Sequence, residues 1–105
     1  MTPADITVVI PTLNEELSLA QSVRSARCAG ATDIIVSDGG SQDRTLEVAT
    51  MSGASKVVKS LPGRGLQMNS GALLAEREFI LFLHADNVLA EGALEQICAH
   101  ENASW

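Results

Sequence analysis

The chain has 105 residues, 46% of them hydrophobic and 19% charged, a composition that folds around a core and is unlike that of a disordered segment. Its net charge of −6, scattered Lys and Arg and 3% aromatic content exclude a polyphosphate backbone as partner and leave few platforms for stacking bases. The first five residues lack the charged and apolar regions of a signal peptide, and no apolar run approaches the ~20 residues of a membrane span. With two distant cysteines, Cys28 and Cys98, and no metal-ligand spacing around them, a reduced, cytoplasmic setting is expected.

Taken in order, Ile6 to Ile10 is a β-branched strand that Pro11 is expected to stop. Asn14 is the expected cap of the following helix, with Glu15 and Glu16 in its positive first turn. Leu17, Ala20 and Val23 return at helical spacing, and Gly30 ends the helix. Asp33 to Ser37 forms a second strand that closes on Asp38-Gly39-Gly40-Ser41. Asp43 or Ser41 then caps a short helix, Arg44 to Met51, ended by Gly53. Lys56 to Lys59 reads as a third strand whose flanking lysines suit a sheet edge. Pro62 and Gly63-Arg64-Gly65 lead into a helix from Leu66 to Glu78. Phe79-Ile80-Leu81-Phe82-Leu83 is a short, unbroken apolar run, the pattern of a strand buried on both faces, and it runs straight into His84-Ala85-Asp86. A last helix starts at Glu91, with Leu94, Ile97 and Cys98 as its apolar positions.

Strands that alternate with helices through tight connections predict an α/β domain with parallel strands and right-handed crossovers. In such a sheet every strand's carboxyl end lies on one rim, where ligands bind. That rim collects Thr12, Asn14 and Glu15, then Asp38, then Gly63-Arg64-Gly65, then His84 and Asp86. Asp38 can accept hydrogen bonds from a base or ribose. Glycines before a helix let a phosphate approach its amides while Arg64 supplies charge. Asp86 can hold a divalent cation that a diphosphate also ligates. Each piece also has a plain structural reading, as a turn, a helix entry or a solvated rim residue. A dinucleotide fingerprint is set aside, because Met68 stands where its third glycine belongs and the motif follows the third strand.

Four motifs, in order and at matching spacing, resemble glycosyltransferase family 2. They are Pro11-Thr12-Leu13-Asn14-Glu15, Asp38 to Thr45, Gly63 to Ala72 and Leu83-His84-Ala85-Asp86. The pattern is most similar to the bacterial branch of selenodomain-associated glycosyltransferases. The resemblance implies a three-layer, Rossmann-like GT-A fold of four βα units with strand order 3-2-1-4. It also implies a nucleotide-diphosphate sugar donor, Mg²⁺ or Mn²⁺, and inverting transfer. By that resemblance Thr12, Asn14 and Glu15 line the nucleoside pocket, Asp38 with Gly39 meets the base, and Gly63, Arg64, Gly65 and Asn69 lie near ribose or phosphates. Ala85 belongs to the same nucleotide-sugar-binding set, and Asp86 matches the last acid of the family's Asp-x-Asp motif, which meets the metal. His84 stands in place of that motif's first acid, either as a second ligand or as a hydrogen-bonding group. No residue matches the family's catalytic base, so residues 1–105 are expected to be a truncated, donor-binding half. The alternative is a non-catalytic nucleotide-binding or assembly module. Without later strands, the strand at 79–83 would be a free edge, and the chain is expected to self-associate there or to cover it with the segment from Asn87.

Overall fold

The computed structural model describes residues 1–103. After a single 3-10 turn at Pro3–Asp5, β1 (Ile6–Thr12), α1 (Leu19–Cys28), β2 (Asp33–Asp38), α2 (Thr45–Met51), β3 (Lys56–Lys59), α3 (Arg64–Leu74), β4 (Phe79–Phe82) and α4 (Ala93–Ala103) follow in turn. The four strands are all parallel, in the order β3-β2-β1-β4. The expected fold class and strand order are therefore the observed ones.

The two central strands carry the core. Every residue of β2 is buried, and all of β1 except the half-buried Pro11. Ile6, Val8 and Ile10 with Ile34 and Val36 pack against Leu19, Val23 and Ala26 of α1, Ala49 of α2, and Leu94 and Cys98 of α4. Alternation puts Val9, Ile35 and Ser37 on the other face, where α3 crosses close enough that a Cβ on Gly71 would sit 2.4 Å from Val9 Cγ1. Two Thr–Asp pairs brace β1 to β2. Thr7 Oγ1 donates to Asp33 Oδ2 at 2.6 Å and Thr12 Oγ1 to Asp38 Oδ1 at 2.8 Å, one at each end of the strands.

Several boundaries differ from the sequence expectation. Pro11 does not stop β1, which pairs with β2 through Thr12 and Asp38. Val9 O accepts from Leu83 N, whereas Thr12 O accepts from Gly39 N. Alternate residues of β1 thus turn toward β4 and β2, and Pro11 turns to the β4 side, where that strand has already ended at Phe82. Its missing N–H costs no ladder bond there. Asn14 does not cap α1: it adopts a left-handed conformation (φ 54°), and the helix begins only at Leu19 after Ser18. Leu17, expected on the buried face, is 98% exposed, and Leu19, Val23 and Ala26 face the core instead. Gly30 does end α1, in a Schellman pairing of Gly30 N with Arg27 O and Ala31 N with Ala26 O. Neither Ser41 nor Asp43 holds the N-cap position of α2, which is Arg44; Asp43, one residue earlier, accepts from Thr45 N through Oδ1 at 2.9 Å. Helix α3 stops at Leu74, short of the acidic residues Glu76 and Glu78 that a helix C-terminus disfavours.

The reading of β4 as a strand buried on both faces is corrected, whereas its expected place as a free edge is the observed one. It lies at the sheet edge, with Phe79, Ile80 and Phe82 each about 40% exposed. The segment after it runs along α1, where Leu89 N donates to Ser25 Oγ and Leu94 N to Ala29 O. It covers one face of the sheet and leaves these side chains at the edge open. Trp105 lies outside the described residues.

Candidate functional site

Because β1 continues to Thr12 while β4 ends opposite Val9, the two strands part at their carboxyl ends. This is also where the strand order changes direction, since the chain runs outward from β1 to β2 and β3 and then returns to β1's other side. Open α/β sheets form their ligand crevice at such a point. A cleft of about 430 Å³ opens here, lined by Pro11, Thr12, Leu13, Glu15, Arg64, Gln67, His84, Ala85, Asp86 and Asn87. Six residues expected from the sequence therefore share one cleft: Thr12, Glu15, Arg64, His84, Ala85 and Asp86.

The loops behind the cleft are tied together by side chains. Asn14 N donates to Ser41 Oγ, and Asn14 Oδ1 accepts from Gln42 N, both at 2.8 Å. Glu15 N donates to Thr45 Oγ1 at 2.8 Å and Glu16 N to Asp43 Oδ2 at 3.3 Å. The β1–α1 loop is thus clamped to the β2–α2 loop by residues from both. Asp43 is held ionised by the Thr45 hydroxyl and by the Thr45 and Glu16 amides, which keep its carboxyl below the usual range.

Asp38 is fully buried and does not line the cleft. Its Oδ1 accepts from Thr12 Oγ1 (2.8 Å) and Ser41 Oγ (2.5 Å), and its Oδ2 from Gly40 N (3.1 Å) and Ser41 N (2.8 Å). Burial pushes this carboxyl up, but the Ser41 hydroxyl and amide, the Thr12 hydroxyl and the Gly40 amide outweigh it and hold it below the ordinary value. With these four positions filled, a base N–H reaches Asp38 only by displacing a donor. Ser41 Oγ, rotatable and partly exposed, is the one most easily moved.

The groups facing the cleft are held more loosely. Arg64 Nη2 lies 3.5 Å from His84 Nδ1, and both side chains are exposed. Among the described residues no protein partner holds the exposed Asp86 carboxylate. No three His, Cys, Asp or Glu side chains among them cluster as a cage for a metal. A carboxylate with at most an imidazole beside it suits a cation whose remaining ligands are phosphate oxygens and water. Gly39, Gly63, Gly65 and Asn69 do not line the cleft. Gly39 N donates to Thr12 O, Gly63 (φ 136°) precedes α3, and Asn69 is exposed on that helix.

Sequence reasoning passed over Gln67, which is 5% exposed at the cleft floor. Its Nε2 donates to Thr12 O (2.7 Å) and Ser37 O (3.1 Å), while its Oε1 accepts from Gly63 N (3.1 Å). The available signal was a polar residue four positions after Gly63 on a helix face that must meet the sheet.

Comparison with known proteins agrees with this architecture. The chain is 38% identical over 94 residues to an uncharacterized glycosyltransferase of Mycobacterium tuberculosis, covering 90% of this chain and 42% of that protein. It is 39% identical over 64 residues to the glycosyltransferase AglJ of Haloferax volcanii, covering 61% of this chain and 21% of AglJ. The chain thus spans about two-fifths of the mycobacterial relative's length. Among solved structures, S. aureus TarS (residues 1–349) superposes with a TM-score of 0.82 at 24% identity, over 97% of this chain and 32% of TarS, a likeness of fold. Glucosyl-3-phosphoglycerate synthase from Mycobacterium tuberculosis, solved with Mn²⁺, uridine diphosphate and glucosyl-3-phosphoglycerate, gives a TM-score of 0.68 at 28% identity, over 76% of this chain and 33% of that one. The sequence pattern of Glycosyl transferase family 2 matches residues 7–101, and the chain belongs to that family.

Proposed function

We propose that this chain is the donor-binding half of an inverting glycosyltransferase and that its cleft takes a nucleotide-diphosphate sugar. The observation that carries the reading is the convergence of Thr12, Glu15, Arg64, His84 and Asp86 on one open cleft at the β1/β4 switch point. In such a transfer an acceptor hydroxyl attacks the anomeric carbon, the bond to the nucleoside diphosphate breaks, and a base takes the hydroxyl proton. These residues serve the leaving side. Arg64 puts positive charge beside the diphosphate, near the start of α3, where backbone amides also favour anions. Thr12, Asn14, Glu15 and Asp38 shape the nucleoside end, with Asp38 accepting a base N–H in exchange for Ser41 Oγ. Ala85 borders the donor in the cleft, while Gly39, Gly63, Gly65 and Asn69 belong to the loops and helix that shape it without lining it.

Asp86, with His84 beside it, would hold Mg²⁺ or Mn²⁺. Bound there with the diphosphate, such an ion supplies positive charge to the departing group. The solved relative that contains Mn²⁺ and uridine diphosphate together supports this. The base and the acceptor site are assigned to a part of the parent protein outside residues 1–105. The motif pattern supports the selenodomain-associated branch. Two free cysteines, and the absence among the described residues of any helix long and apolar enough to cross a membrane, are consistent with a cytoplasmic setting. We also assign the open β4 edge to pairing with a second copy of this chain.

Amide chemical shifts during titration with UDP and the diamagnetic MgCl₂ test the placement. Shifts confined to residues 12–15, 38–41, 63–67 and 84–87 are expected. Shifts centred elsewhere, or saturation without any change at Arg64 and Asp86, would remove the assignment.

A further inference from the structure

Three loops end at the cleft, and one buried amide touches all of them. Gln67 Nε2 donates to Thr12 O at the end of β1 and to Ser37 O near the end of β2, and Gln67 Oε1 accepts from Gly63 N in the β3–α3 loop. The same loop is closed a second time by Gln67 N donating to Gly63 O at 2.8 Å. Both N–H bonds of the side-chain amide are used, so its orientation is fixed by its partners. Space around it is fixed as well. A Cβ on Gly39 would lie 2.6 Å from Gln67 Oε1 and 2.7 Å from its Cδ, so the residue after Asp38 must lack a side chain for the amide to sit where it does. Gly39 N in turn donates to Thr12 O at 3.0 Å, the oxygen that also accepts from Gln67.

We infer that Gln67 is a positioning residue that couples the Asp38–Ser41 loop to the Gly63–Arg64–Gly65 loop, and that Gly39 is required because it leaves room for that amide. The two loops come from different βα units, and no other side chain among the described residues bonds both the end of β1 and the Gly63 loop. Helix packing alone does not call for such a group, since an apolar side chain of similar size would fill the space and leave Gly63 N and Ser37 O without this partner. Fixing both loops before a ligand arrives lowers the ordering cost of binding. The geometry stands on its own. Its effect on nucleotide affinity rests on the donor-site reading above.

The test is a double-mutant cycle of Gly39→Ala and Gln67→Ala, followed in the free chain by the amide signal and hydrogen-exchange rate of Gly63 and then by calorimetry with UDP and MnCl₂. Gly39→Ala alone should displace the Gln67 amide, shift the Gly63 signal and speed its exchange. In the Gln67→Ala background the same substitution should leave Gly63 unchanged. Each single variant should bind UDP about tenfold or more weakly, and the double variant no worse than Gln67→Ala. Gln67→Met, which fills the space without the hydrogen bonds, should keep the wild-type fold by circular dichroism and still lose affinity. Equal effects of Gly39→Ala on Gly63 in both backgrounds, or wild-type affinity in a folded Gln67→Met, overturn the role of Gln67. A wild-type chain that shows the coupling but binds no UDP overturns the donor-site reading instead.

Discussion

Asp38 is buried and ionised, and its hydrogen bonds, not its exposure, set its chemistry. A carboxyl whose folded-state value is lowered stabilises the fold above its unfolded value of about 3.9 and loses that contribution as pH falls through the lower folded value. Asp38→Asn should therefore cost about 1–3 kcal/mol at neutral pH. It should also flatten the fall in stability as pH drops below about 4, as measured by urea unfolding at a series of acid pH values. An unchanged slope would show that the carboxylate is not held as described. Ser37 is the opposite case. Its Oγ is the one buried side-chain polar atom among the described residues without a hydrogen-bond partner. Ser37→Ala should be neutral or stabilising by up to about 1 kcal/mol in the same assay, and a loss above that would reveal a partner for the hydroxyl. Residue type and position were enough to bring Glu15, Arg64, His84 and Asp86 to the rim, because strand ends fix where such residues emerge. They were not enough for Asn14 or Gln67, whose roles depend on which loop lies opposite, a tertiary fact that no local pattern encodes.

The elements differ from expectation where a neighbour overrides local preference. Proline normally ends a strand, yet Pro11 continues β1 because β4 is too short to need its N–H. The Asn-Glu-Glu sequence of a helix start at residues 14–16 is used instead to lock two loops together. The apolar run of β4 by itself gives no sign of an edge, since periodicity reports burial only when a neighbour is present to bury it; the edge follows from the strand order instead. Helix α3 shows the converse, a packing constraint written as a single glycine. Gly71→Ala should raise helix propensity by up to about 1 kcal/mol, but its Cβ would meet the buried, β-branched Val9 at 2.4 Å. Overpacking of about 1–3 kcal/mol should win, lowering the thermal midpoint. A Gly71→Ala variant as stable as wild type would mean that α3 lies further from the sheet.

For the whole molecule, the β-α alternation was sufficient to specify a parallel sheet, because tight connections and right-handed crossovers leave few topologies. The order β3-β2-β1-β4 makes β4 an edge, with Phe79, Ile80 and Phe82 partly exposed and an apolar hollow of about 190 Å³ between Phe79, Ile80 and Ile97. Such an edge invites strand pairing. Light scattering should detect a dimer that dissociates on dilution, and Ile80→Lys should weaken it. A strict monomer at high concentration rules the pairing out.

In the proposed site, the β1/β4 cleft binds a nucleoside diphosphate through a cation held at Asp86. Calorimetry with UDP and with GDP, each with and without Mn²⁺, tests it most directly, on the wild-type chain and on Asp86→Ala. Metal-dependent binding of at least one of the two nucleotides to the wild type is expected, lost or sharply weakened in a folded Asp86→Ala. Equal binding by that variant, or no binding of either nucleotide by the wild type, would contradict it.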